Sequence, residues 1–378
     1  MPSPDAPLAG IRVVDLSQGI AGPYCAMLLA QHGADVVKVE PPEGDWSRTL
    51  GARYGDQTAY SVVGNLGKRS IALDLKRPAD RAVLERLARR ADVFIEGFRP
   101  GVAARLGVDY AAIAALSPRV IYLSVSGFGQ TGPERERPAM DPVLQAFTGI
   151  MHTNRGADGA PHRVGTIVVD MGTGLYCAQA VLAALLGRGA DGPGRHIDAS
   201  LMTAAAGLQS VHLIAHHLEG GQMQPGRVPS GCYPTADGWI QITILRDEEF
   251  RRLCDVLGAP DLREDPRFAT YQQRGGHLDE LTARVTAALA RRPASAWCED
   301  LRAAGLMHER VNSLLDFLAH PHVAETGAVA WVEQPGVGKV PLPQVPGLPR
   351  RAPGDPRGTA PGLDQHRAEI LRELGAPD

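Results

Sequence analysis

The chain has 378 residues, enough for roughly two or three domains, which excludes a lone small binding module. Lys and Arg number 39 against 42 Asp and Glu; the net charge of −3 leaves no basic surplus for a general nucleic-acid or anionic-membrane binder. Apolar residues at 44% and charged residues at 21% suit a globular chain with a full core.

The N-terminal stretch MPSPDAPLAG lacks the basic and apolar segments of an export signal, and no stretch reads as the ~18 apolar residues of a membrane span, so a cytoplasmic protein is expected. Cys25, Cys177, Cys232, Cys254 and Cys298 have no CxxC spacing, which argues against a disulfide framework or zinc knuckle and fits a reducing compartment.

From the N-terminus, short apolar runs alternate with helical patterns. A strand at Ile11–Leu16, a helix from Gly22 to Gln31 and a strand at Asp35–Val39 form a βαβ signature. Strands at Ser70–Leu73, Asp92–Ile95 and Val120–Val125 continue it, with a helix from Pro78 to Arg90 between the first two. A parallel sheet covered by helices is the economical fold. A Gly- and Pro-rich loop spans 127–138. Two long apolar helices follow, from Asp170 to about Leu186 and from Leu201 to about Leu218, and both are expected to be buried. Beyond a Gly/Pro-rich segment lie one strand, Trp239–Ile244, and several charged amphipathic helices. A strand within 328–349 and a terminal helix at Leu363–Leu374 complete the chain.

The GxGxxG of Gly127–Gly132 follows a strand, but Pro133 and the charged run to Pro138 read as loop, so no helix starts there to hold a dinucleotide. His212 and His216 are four apart on one helix face without the glutamate of HExxH or a third ligand. They read as interior or interface histidines, as do His217, His320 and His322, and no metal is assigned. Asp170 ends the β-branched run Ile167-Val168-Val169 and opens a helix through Gly172 and Gly174. Two readings stand for it: an N-cap whose carboxylate accepts first-turn amides, or an exposed carboxylate in a glycine-lined bend that holds an acyl group beside oxyanion donors.

The ordered runs Pro7–Leu16, Ala21-Gly22-Pro23, Gly33–Glu40, Gly44-Asp45, Lys68–Lys76, Ala91–Gly101, Pro118–Tyr122 and Gly127-Phe128-Gly129, with Asp170, Gly174 and Ala178, resemble family III CoA-transferases, the group of formyl-CoA and carnitine CoA-transferases. A weaker echo lies at Ala236–Trp239 and Asp265–Phe268. The resemblance implies a Rossmann-like α/β large domain over residues 1–220, a small α+β domain over 221–325, a segment 326–378 returning to the large domain, and two interlocked protomers. It makes Asp170 the nucleophile, passing through an anhydride and an aspartyl-CoA thioester, with CoA as substrate, no resident cofactor and a small carboxylic acid as acceptor. It places CoA against Ile20 and Ala21, Leu73, Asp74, Leu75 and Lys76, Gly97, Phe98 and Arg99, Arg105, and Met140 and Asp141. Arg99, Arg105 and Lys76 are then phosphate partners, or simply solvated charges.

Departures from the pattern bear on the substrate. Formyl-CoA transferases carry glutamine at the position of Ile20 and a glycine run near Arg227; their absence argues against oxalate and formate. Arg227 is the candidate for pairing a second carboxylate, as in succinate. The related α-methylacyl-CoA racemases place histidine before the aspartate where this chain has Met140-Asp141, and methionine cannot exchange an α-proton. Racemisation and non-catalytic binding of a CoA thioester are the alternatives to transfer.

Overall fold

The computed structural model describes residues 6–156, 158–221, 229–352 and 354–376. The chain divides into two compact units, Met1–Leu213 with Glu325–Asp378, and Ile214–Ala324. In the first, β1 (Arg12–Asp15), β2 (Asp35–Glu40), β3 (Arg69–Ala72), β4 (Val93–Glu96), β5 (Ile121–Ser126) and β6 (Arg195–Ser200) form one parallel sheet in the order β3-β2-β1-β4-β5-β6. That is the doubly wound order, in which the succession of strands changes side between β1 and β4, and open sheets of this kind place their ligands beyond the strands' carboxyl ends at that switch point.

Near-continuous β-branched runs suit strands buried on both faces. Side chains alternate across the sheet: Val13, Ile95 and Leu123 join a core with the helices Ala21–Gln31 and Val168–Arg188, whereas Val14, Phe94 and Tyr122 join a second core with the helices Pro78–Ala88 and Arg367–Leu374. The C-terminal helix is fastened to β3 through Arg69, which pairs with Glu369 and Glu373 at 2.9 Å each.

Three sequence expectations need correction. The edge strand β6, Arg-His-Ile-Asp-Ala-Ser, has no place among the predicted strands, because its exposed positions carry charge instead of an apolar run. The helix expected from Leu201 to Leu218 breaks at Gln209 (φ −103°, ψ 10°) into Leu201–Leu208 and Ser210–Leu218, and no side chain of the second piece is buried. Lastly, the Val168–Arg188 helix is long and apolar enough by length and composition to cross a membrane. Here it is a core helix, burying Val169, Cys177, Val181 and Ala184 against the Ala21–Gln31 helix and the sheet.

In the second unit β7 (Gly231–Pro234), β8 (Trp239–Thr243) and β9 (Met307–Arg310) form an antiparallel sheet. Helices Asp247–Leu257, Leu278–Leu289 and Ala294–Ala303 close a core around Phe250, Leu281 and Trp297. The hairpin of β10 (Val329–Gln334) and β11 (Gly338–Pro343) belongs to the first unit.

Candidate active site

Beneath the loops at the carboxyl ends of β1 and β2 lies a bed of buried ion pairs. Asp15 pairs with Lys68 at 2.7 Å, Asp45 with Lys38 at 2.9 Å and Glu40 with Arg48 at 2.7 Å. Burial alone raises a carboxyl pKa, but the Lys68 and Lys38 ammoniums bring Asp15 below its ordinary value, and Arg48 does the same for Glu40. The bed shapes the loop above it: Asp45 accepts the Gly19 N–H at 3.0 Å, and Asp15 accepts the Ser17 N–H at 3.0 Å. Charged residues inside β-branched runs, such as Lys38 between Val37 and Val39, were the available signal for this bed.

That loop delivers the chain into the Ala21–Gln31 helix, whose N-cap residue Ile20 supplies no side-chain acceptor. The helix start abuts Gly174 of the Val168–Arg188 helix, where an added Cβ would lie 2.9 Å from the Ala21 carbonyl and 2.8 Å from the Tyr24 ring. Only glycine permits that approach. Asp170 precedes Gly174 by four residues and so shares its face, one turn nearer the helix start.

Asp170 does not cap its helix. The helix begins at Val168, and Asp141 provides the cap from another element: its Oδ2 accepts the N–H groups of Val169 at 2.7 Å and Asp170 at 3.1 Å, while Gln145 donates to its Oδ1 at 2.6 Å. The N-cap reading of Asp170 is thereby replaced, and the physical reason is that Asp141 already fills that role. Among the described residues the Asp170 carboxylate has no hydrogen bond or ion pair. Burial, then the Asp141 charge, push its pKa up to about 7.

A cavity of about 280 Å³ opens along the same sheet edge, lined by Leu16, Gln18, Leu73, Asp74, Leu75, Lys76 and Phe98. Gly97 brings the loop after β4 against the loop after β1, a Cβ there lying 3.3 Å from Ser17 Cβ. A larger cavity of about 380 Å³ sits at the opposite edge, among the amino-terminal ends of the strands. Its Arg69 is already paired with Asp35 and Glu373, and doubly wound sheets do not bind ligands there. Among the described residues no cluster of three or more His, Cys, Asp or Glu could hold a metal.

A doubly wound sheet with an unpartnered aspartate at a helix start is compatible with several enzymes; similarity narrows it. The CoA-transferase family III model matches residues 8–367. This chain is a family III CoA-transferase. It is similar to the acetyl-CoA:oxalate CoA-transferase of Acetobacter aceti, at 37% identity over 99% of this chain and 97% of that one. The succinate–glutarate CoA-transferase of Agrobacterium fabrum is 34% identical over 99% and 97% of the two chains. Among solved structures, a CAIB/BAIF family protein from Brucella suis superposes with a TM-score of 0.88 at 32% identity, over 98% of this chain and 100% of that one.

Of the residues singled out in sequence, the transferase brings Leu73–Lys76 and Phe98 into one cavity, and Ile20 and Ala21 to the start of the Ala21–Gln31 helix, where the Ala21 carbonyl abuts the helix that bears Asp170. Asp141 is buried behind Asp170, and Met140 is exposed beside it in sequence. Arg99, Arg105 and Lys76 are exposed, with no ion pair among the described residues, and Arg99 and Arg105 are not in the cavity wall. Arg227 lies outside the described residues.

Proposed function

We propose that this transferase moves CoA from a short acyl-CoA to a small organic acid with Asp170 as its covalent centre. One observation carries the reading: a carboxylate in the first turn of a long helix, its capping role taken by Asp141, has both oxygens uncommitted. Asp170 attacks the thioester carbonyl, giving a mixed anhydride and CoA thiolate. The thiolate attacks the aspartyl carbonyl, forming aspartyl-CoA thioester and releasing the donor acid with one oxygen taken from Asp170. The acceptor carboxylate then forms a second anhydride, and CoA leaves on the acceptor carbonyl. Thioester replaces thioester, so the energy change is small at each end. Backbone N–H groups of Ala21 and Gly22, at a helix start without a side-chain cap, stabilise the developing oxyanion in this reading.

CoA lies along Leu73–Lys76 and Gly97–Phe98, reaching past Ile20 and Ala21 to Met140, with Lys76, Arg99 and Arg105 answering its phosphates. The relatives named for oxalate and glutarate support a dicarboxylate acceptor and make succinyl-CoA a reasonable donor. The oxalate enzyme's similarity also removes the ground for excluding oxalate on the loop sequences alone. An interlocked cytoplasmic homodimer is part of the proposal. The dimer is supported by Leu186 and Val211, large apolar side chains of the first unit that are widely exposed and that a second protomer would cover.

The test uses an acceptor acid labelled with ¹⁸O in its carboxylate and unlabelled succinyl-CoA. The expected result is one ¹⁸O left on Asp170 after the first turnover and passed into free succinate over the following turnovers, about half of it in the next, since either carboxylate oxygen can attack. Label that never reaches succinate contradicts the mechanism, and solvent deuterium entering the acyl α-position without an acceptor favours racemisation instead.

A further inference from the structure

At the sheet edge beside the CoA cavity, Glu96 ends β4 with a buried carboxyl group that pairs with no cation among the described residues. Its Oε2 accepts the N–H of Phe98 at 2.8 Å, two residues on. Phe98 is in turn part of the cavity wall that also holds Leu73–Lys76. Across the sheet Glu96 is in register with Ser124 of β5, whose hydroxyl bonds to it and lies 2.9 Å from His196 Nε2 of β6. His196 is held by stacking on Tyr110, with ring centroids 5.3 Å apart, and by the edge of Tyr122. A row of three polar side chains thus runs from the buried sheet to one backbone amide of the cavity loop.

The cost of burying Glu96 is real: burial first, then the Asp198 charge, raise its pKa. A chain seeking stability alone would place an apolar residue here, as Ile95 and Phe94 show on the same strand. What the carboxyl group supplies is a fixed turn. A loop amide left without an acceptor beside an apolar wall is free to rotate away, carrying Phe98 with it.

We infer that Glu96, through Ser124 and His196, is a positioning residue for CoA-thioester binding: it fixes the Gly97-Phe98-Arg99 turn so that Phe98 closes the cavity wall. The inference rests on the proposed CoA path along this cavity but not on the identity of the nucleophile. It separates binding from chemistry, because Glu96 touches no reacting atom.

Full-length Glu96→Ala, Glu96→Gln and Ser124→Ala are compared with the native enzyme by calorimetric titration with free CoA and by kinetics with succinyl-CoA and glutarate. Glu96→Ala is expected to weaken CoA binding and raise the succinyl-CoA KM about tenfold, with kcat within about threefold and the glutarate KM unchanged. In Glu96→Gln the amide oxygen still accepts the Phe98 N–H, so CoA affinity returns to within about threefold of native. Ser124→Ala, which shortens the row without removing the turn's acceptor, weakens CoA about threefold. Native CoA affinity in a folded Glu96→Ala overturns the inference. So does a loss confined to kcat, or Glu96→Gln as weak as Glu96→Ala. If Glu96→Ala does not fold, native affinity in Ser124→Ala overturns it. Because calorimetry needs no turnover, the titrations repeated in an Asp170→Asn background keep this result separate from the fate of the Asp170 reading.

Discussion

Two groups of buried acids lie along the same edge of the sheet and behave in opposite ways. Under the loops after β1 and β2, Asp15, Asp45 and Glu40 each have a buried cation, and their role is to hold a loop still. Around the start of the Val168–Arg188 helix and the end of β4, Asp170, Asp141 and Glu96 have amides and hydroxyls for neighbours, or none, and no paired cation among the described residues. The cations bring Asp15 and Glu40 below their ordinary pKa values, whereas burial without a cation raises those of Asp170 and Glu96. A cation spends a carboxylate's basicity on structure; its absence leaves the carboxylate basic enough to attack a carbonyl.

The sharpest way to break the contrast is at Asp170. Asp170→Ala is expected to lower kcat by about a thousandfold or more, measured with succinyl-CoA and glutarate at saturation. The same residue makes stability fall with pH. Its folded pKa of about 7 exceeds the ordinary 3.8, so the fold holds the proton more tightly than the unfolded chain does, and stability is lost as pH rises through this window. Asp170→Asn removes the charge, and urea unfolding at pH 8 is expected to show it about 1–2 kcal/mol more stable than native.

The paired region should respond in the other direction. Lys68→Met leaves Asp15 buried without its cation, and chemical unfolding is expected to show a loss of about 3–5 kcal/mol. A loss below about 1 kcal/mol would mean the bed is not holding the loop, and the contrast would fail on that side.

A finer cut separates the two acids of the helix start. In native enzyme kcat/KM should fall as pH drops through about 7, because protonated Asp170 cannot attack. Asp141→Asn keeps an oxygen to cap the Val169 and Asp170 amides but deletes the like charge, so that acid limb should move down by about one unit. The smallest effect belongs to the rim. Lys76→Ala should raise the acyl-CoA KM about threefold at low salt and hardly at all at high salt, since an exposed cation is screened.

How far the sequence revealed this is clear from particular residues. Short, near-continuous apolar runs marked β1 to β5, but not β6, where a sheet edge tolerates Arg195 and His196. Asp170 stood out because it sits where a β-branched run meets glycines. Its neighbour Asp141 emerged only from the resemblance, and its capping of a helix that starts 27 residues later is a tertiary fact that no local pattern encodes. Charges inside apolar runs hinted at the buried ion bed, but not at its pairs: Lys68 and Asp15 are far apart in sequence and meet only when β1, β2 and β3 are side by side. At the break, Gln209 donates its side-chain amide to the Thr148 carbonyl, another tertiary contact that no local pattern encodes.

The central claim is that CoA becomes covalently attached to the uncommitted carboxylate of Asp170. Native enzyme incubated with succinyl-CoA alone, quenched in acid and digested, should yield a peptide spanning Asp170 that carries CoA through a hydroxylamine-sensitive thioester, discharged on addition of glutarate as fast as turnover. The Asp170→Asn protein should yield none. Transfer at full rate with no adduct, or an adduct on any other residue, would contradict the account.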